Sequence, residues 1–119
     1  MAIQVRYAGE VAILSGIGYL MNDPRHFDAG RDVGDLLDDG CRRFVLELVG
    51  VRETGATLLG LLMTLTRLVR RERGEVVLAQ VSKPMLKYLE TMRMEDYWDV
   101  FDKADEAARF LGWRGERAG

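Results

Sequence analysis

Few side chains in this sequence can do covalent chemistry. There is one histidine, His26, and one cysteine, Cys41, in 119 residues. A nucleophile needs a base within hydrogen-bond reach, so every Cys–His or Ser–His scheme would have to run through His26. His26 follows Pro24 in a loop-forming stretch, where a surface role is expected. Cys41 reads as a small buried apolar residue ahead of a strand. A zinc site would need Asp and Glu almost alone, an unusual donor set, so no metal is expected. Asp32, Asp35, Asp38 and Asp39 recur at helical spacing. They read as a solvated face rather than a cation site, because the last two lie at a helix C-terminus, where carboxylates oppose the dipole. A single cysteine excludes a disulfide within the chain. This poverty of reactive groups argues against an enzyme.

Three other groupings have the right types for binding. Gly16-Ile17-Gly18 begins like a dinucleotide fingerprint, but no third glycine follows at the needed spacing, and no cofactor is expected. Arg67, Arg70, Arg71 and Arg73 crowd one helix end. Cations there complement the dipole, and a net charge of −2 gives no pull toward nucleic acid. The 14 arginines against 3 lysines read as a coding bias. Thr54 and Thr57 bracket a predicted helix start that follows an apolar strand. Free N–H groups at such a start favour an anion. Thr54 is the expected cap, and Thr57 is a hydroxyl open to modification.

The elements that must position these groups follow from periodicity. Ile3, Val5 and Tyr7 alternate with Gln4 and Arg6, the pattern of a half-buried strand. With the apolar run from Val11 to Leu14 this predicts a hairpin over residues 2–20, turning at Ala8-Gly9-Glu10. A short helix over Phe27–Asp39 ends at Gly40. Arg43–Val49 is a near-continuous apolar strand, suited to cover on both faces. A helix from about Thr54 to Arg73 follows, closed by Gly74 at its C′ position. Glu75–Val81 is a second buried strand. Ser82 caps the next helix, with Pro84 in its first turn. That helix carries Met85, Leu86, Leu89 and Met92; these methionines and Met94 read as core filling. Tyr97–Phe101 is a short late strand and Asp105–Trp113 a last helix, with Trp98 and Trp113 as packing anchors. Strands alternating with helices imply an α/β fold. The sheet is mainly parallel, with four to five strands, an antiparallel edge strand and about four helices.

Composition agrees with one domain: 48% hydrophobic and 30% charged residues are ordinary for a globular chain. No apolar run approaches the roughly 20 residues needed to span a membrane. Met1–Arg6 lacks the blocks of a secretory signal. A cytoplasmic protein is therefore expected, with the domain over residues 1–114 and a disordered tail over 115–119.

The long helix can be laid out at about 100° per residue from Leu58. Leu58, Leu61, Leu62, Leu65, Leu68 and Val69 fall in one core-facing wedge, with Arg67 and Arg71 opposite. Leu59 and Met63 lie outside the wedge, near 100° and 140°. Two apolar side chains on an outward flank mark a candidate interaction surface.

These features together resemble the STAS domain, the fold of bacterial anti-sigma factor antagonists, over about residues 3–112. The resemblance rests on Val45-Leu46-Glu47-Leu48-Val49-Gly50-Val51, the helix start after it, and Leu59-Gly60. It extends to Gly74-Glu75-Val76-Val77-Leu78, to Val81-Ser82-Lys83-Pro84 with Leu86 and Leu89, and to Ala104-Asp105-Glu106-Ala107-Ala108. In that family the helix opens with Asp-Ser-Ser-Gly-Leu-Gly, and the first serine is phosphorylated by a partner that is both anti-sigma factor and kinase. Here the aspartate falls on Gly55, the phosphorylated serine on Ala56, the second serine on Thr57, the glycine on Leu58 and Leu-Gly on Leu59-Gly60. The resemblance implies a non-enzymatic regulatory module that binds an anti-sigma factor or serine kinase-type partner and has no nucleic-acid or membrane partner. Its partner-binding residues would be Thr54, Gly55, Ala56, Thr57, Leu59 and Met63. Because Ala56 has no hydroxyl, constitutive binding is expected, with Thr57 the remaining acceptor at the serine positions. A homodimer is compatible with this reading. Two further readings are a self-assembling scaffold module of a stress-signalling complex and a small-molecule or nucleotide-binding module in the same crevice.

Overall fold

The computed structural model describes residues 3–20 and 28–115. A five-stranded sheet has the order β1 (Gln4–Ala8), β2 (Val11–Ser15), β3 (Arg43–Glu47), β4 (Glu75–Ala79) and β5 (Val100–Phe101). β1 pairs antiparallel with β2, and every other pairing is parallel. The connections among the described residues are a one-turn helix α1 (Ile17–Leu20), then α2 (Asp28–Asp38), α3 (Ala56–Arg71), α4 (Lys83–Thr91) and α5 (Ala104–Phe110). The expected mixed sheet with an antiparallel edge is what the chain forms. His26 and residues 116–119 of the expected tail lie outside the described residues.

Alternation along the strands splits the core into two layers, since neighbouring side chains point to opposite faces. Ala12, Leu14, Phe44, Leu46, Val76 and Leu78 meet α2, α3 and α4 on one face. Val11, Ile13, Val45, Val77 and Ala79 meet Ala104, Ala107, Ala108 and Leu111, from α5 and the residue after it, on the other. The small alanines let the seven-residue α5 lie close to the sheet. Ser82 caps α4 as expected, its Oγ accepting from the Met85 N–H at 3.2 Å, with Pro84 in the first turn.

Several local expectations are corrected. The hairpin ends at Ser15, not at residue 20. Gly16 takes φ +78° and turns the chain off the sheet, so Ile17–Leu20 form α1. Gly74 is not the left-handed residue closing α3. That role falls to Arg73 (φ 64°), with Gly74 N–H bonded to Val69 O and Arg73 N–H to Arg70 O, a Schellman end. Gly74 is needed for space: a Cβ there would sit 2.5 Å from Arg42 O and 2.6 Å from Val69 Cγ1. Asp32 is not on the solvated face. It is 7% exposed and accepts the Ile3 N–H at 3.2 Å, which ties α2 to the edge strand. Cys41 is half-buried, and burial, with Asp39, pushes its thiol pKa up. Met85 fills the core, whereas Met92 is exposed.

The largest correction concerns the rotation of α3. Its buried residues are Leu58, Leu59, Leu62, Leu65, Thr66 and Val69, an arc turned by about 60° from the expected wedge. Thr66 explains it. This hydroxyl is fully buried and accepts a 2.9 Å hydrogen bond from the Trp98 indole Nε1. With the polar atom satisfied, Thr66 belongs to the core face, Leu59 turns inward, and Leu61 and Leu68 move to the half-buried flank.

Candidate functional site

The parallel strands end at one edge of the sheet, where β2, β3 and β4 hand over to their loops. Glu47, the last residue of β3, is 6% exposed and chelated by Arg6 from the edge strand at 2.7 and 3.1 Å. The Arg6 guanidinium is held above its usual range, chiefly by that hydrogen bond and against the penalty of partial burial, with Coulombic support from Glu47 and Asp105. This bidentate pair spans the width of β2 and anchors the strand end from which the loop springs.

The loop begins as a turn. The Leu48 N–H bonds to Ala79 O and the Val51 N–H to Leu48 O, with Gly50 at φ +76°. Leu48 and Val51 are buried, while Val49 between them points outward and is 51% exposed. The α1 turn packs beside it closely enough that a Cβ on Gly18 would lie 3.3 Å from Gly50 O. Gly16, Gly18, Val49 and Gly50 line a small cleft of about 210 Å³.

Gly55 then starts α3 with φ 126° and ψ −162°, a backbone region open essentially to glycine alone. That geometry requires the glycine that the sequence places there. Gly55, not Thr54, is the N-cap, and the helix has no side-chain cap. The first intrahelical bond runs from Leu59 N–H to Gly55 O. Thr54, Ala56 and Thr57 are exposed around this start, and Gly60 one turn on has open space above it.

The structure therefore brings Thr54, Gly55, Ala56 and Thr57 together at the surface. It removes Leu59 from the set: at 6% exposure it packs in the core, because the rotation of α3 points it at the sheet. Met63 is half-buried and leans on the same core. Two apolar residues on loops and helix starts at this edge went unpredicted. The apolar run Arg43–Val49 places Val49 at a strand end, but the strand stops at Glu47 and the turn at Gly50 turns Val49 outward. Leu86, in the first turn of α4, is 37% exposed. The resulting surface is small and partly apolar, with Arg52 and Glu53 as the charged residues of its loop. Thr57 presents a hydroxyl there and Ala56 a methyl group.

No protein-family model matches the sequence, and no curated protein matches it. Solved structures do match. A candidate anti-sigma factor antagonist from Thermotoga maritima superposes with a TM-score of 0.75 at 17% identity, over 92% of this chain and 93% of that one. An anti-sigma-factor antagonist (STAS) domain protein from Planctomyces limnophilus gives 0.74 at 17% identity, over 92% and 97%. The NMR structure of the Thermotoga protein gives 0.76 at 18% identity, over 88% and 84%. The chain thus has the STAS fold.

Proposed function

We propose that this protein is a non-enzymatic regulatory module of the anti-sigma factor antagonist kind, acting in the cytoplasm of a bacterium. It captures an anti-sigma factor or serine kinase-type partner through the edge formed by Val49 and Thr54–Thr57. The observation that supports this best is the exposed loop and helix start at the carboxyl end of β3, with Val49, Thr54, Ala56 and Thr57 at the surface, on a fold shared with antagonists. Met63 and Leu86 flank that surface, and Leu59 supports it from below. Where the STAS motif carries its phosphoacceptor, Ala56 offers only a methyl group. Binding is then constitutive, because no phosphate can be placed there to repel the partner.

The test is pairwise co-expression with each anti-sigma factor of the host, followed by size-exclusion chromatography. A stoichiometric complex that survives incubation with ATP is the expected result. Val49→Asp should weaken it at least roughly tenfold, since a charge would be buried in an apolar contact, with an unchanged circular dichroism spectrum. Absence of a complex with every such partner refutes the reading. Phosphate found on Thr57 together with dissociation by ATP refutes the constitutive part of it.

A further inference from the structure

A second concavity lies at the opposite end of α3, away from the loop and helix start. It is a cleft of about 530 Å³ lined by Thr64, Arg67, Leu68, Arg70, Arg71 and Tyr97. Arg70 is already committed. Its Nε and Nη2 donate to Glu75 Oε1 at 3.2 and 3.1 Å, Nη2 also donates to Tyr97 O at 2.9 Å, and its guanidinium carbon lies 4.7 Å from the centre of the Tyr97 ring. The Thr64 hydroxyl proton is committed to Gly60 O at 2.9 Å. Arg67 and Arg71 are exposed, and neither forms an ion pair or hydrogen bond with another described residue. They stand one helical turn apart, with Cβ atoms about 5–6 Å from each other. Two guanidinium forks at that spacing can grip one phosphate or carboxylate from two sides.

The helix dipole accounts for cations in the last turn, Arg70 and Arg71. It does not account for Arg67 a turn earlier, nor for the Tyr97 ring on the Arg70 side of the pair. A guanidinium stacked on a ring is itself a flat, weakly hydrated platform for a second flat group. The volume falls in the range of small-molecule sites, about 300–1,000 Å³.

We infer that this cleft binds a small anion carrying a flat apolar body, an aryl phosphate or aryl carboxylate. The anionic head sits between Arg67 and Arg71, and the flat body rests on the Arg70–Tyr97 stack. This site shares no residue with the partner-binding edge and lies on the other half of the helix.

Isothermal titration at low salt with 1-naphthyl phosphate, inorganic phosphate and 1-naphthol tests it. Naphthyl phosphate should bind with a dissociation constant below about 1 mM. Each half-ligand should bind at least roughly tenfold more weakly. Arg67→Ala/Arg71→Ala should weaken naphthyl phosphate at least roughly tenfold, while Arg73→Ala, an exposed arginine outside the cleft, should leave it unchanged. Four outcomes overturn the proposal: no heat from naphthyl phosphate, equal binding of 1-naphthol, equal binding by the double variant, or an equal loss in the Arg73→Ala control. Both replaced arginines are exposed, and an unchanged melting curve verifies that the double variant is folded.

Discussion

Replacing Thr66 by valine removes one acceptor while keeping the shape of the side chain. Thr66 is fully buried, Trp98 is 3% exposed, and the bond between them is 2.9 Å. The variant therefore leaves the Trp98 N–H buried without a partner, at a cost of about 1–3 kcal/mol. For a domain of this size that lowers the melting temperature by about 4 °C per kcal/mol. Urea denaturation followed by circular dichroism measures it. Thr66→Ser keeps the hydroxyl and loses only a methyl group, about 0.8 kcal/mol. The decisive comparison is a double-mutant cycle with Trp98→Phe. Once the indole N–H is gone, Thr66→Val should become nearly neutral, giving a coupling of about 1 kcal/mol or more. An additive cycle, or a loss below about 0.5 kcal/mol for Thr66→Val, would refute the claim that this bond holds the rotation of α3.

Three further outcomes test the surrounding structure. Gly74→Ala drives a Cβ into the Arg42 carbonyl and Val69, both closer than 3 Å, and should destabilise by about 1–3 kcal/mol in the same denaturation assay; a neutral result refutes the close approach. Gly55→Asp places a Cβ on a backbone at φ 126° and should cost about 1–3 kcal/mol, whereas Ala56→Ser at the exposed next position should stay within about 0.5 kcal/mol. The Cys41 thiol, its pKa raised by burial and Asp39, should react with a disulfide reagent near pH 8 more slowly than the same thiol in the unfolded chain. A raised folded-state pKa favours the protonated native form, so its small stabilising contribution is complete below the unfolded pKa and is lost as pH rises through the folded one. Equal reaction rates would refute the shift.

The order of elements was legible because each apolar run is bounded by its own punctuation. Ser82 and Pro84 mark one helix start, Gly9 the hairpin turn and Gly40 the end of α2. What was illegible depends on partners far along the chain. Thr66 is buried because its partner, Trp98, stands 32 residues later, and no neighbouring residue signals it. Asp32 reads as one more acid on a solvated face until the edge-strand N–H of Ile3 reaches it. Gly74 and Arg73 look interchangeable as helix terminators, and only the approach of Arg42 decides which of them can carry a side chain. The site suffered from the same cause. Its exposed residues at Thr54–Thr57 followed from the motif's position, while Leu59 was misplaced by the unforeseen rotation and Val49 by extending a strand two residues past Glu47.

Both candidate surfaces hang on that rotation. Ala56, Gly60, Thr64, Arg67 and Arg71 share the outward side of α3, opposite the arc that buries Leu58, Leu62 and Val69. Turning the helix back by about 60° would expose Leu59 beside the partner edge and swing Arg67 and Arg71 away from Tyr97. Arg70 opposes that turn from the far end through its bonds to Glu75 and Tyr97, and Thr66 opposes it from the middle. The two ties act on the same flank of the helix and on neighbouring residues, Tyr97 and Trp98. Loosening the 97–98 segment should therefore disturb both surfaces at once. Trp98→Phe is then expected to weaken partner capture and naphthyl phosphate binding together, although Trp98 itself is buried and touches neither ligand. If Trp98→Phe alters one surface and leaves the other intact, α3 does not move as a rigid unit, and each surface is set by its own local contacts.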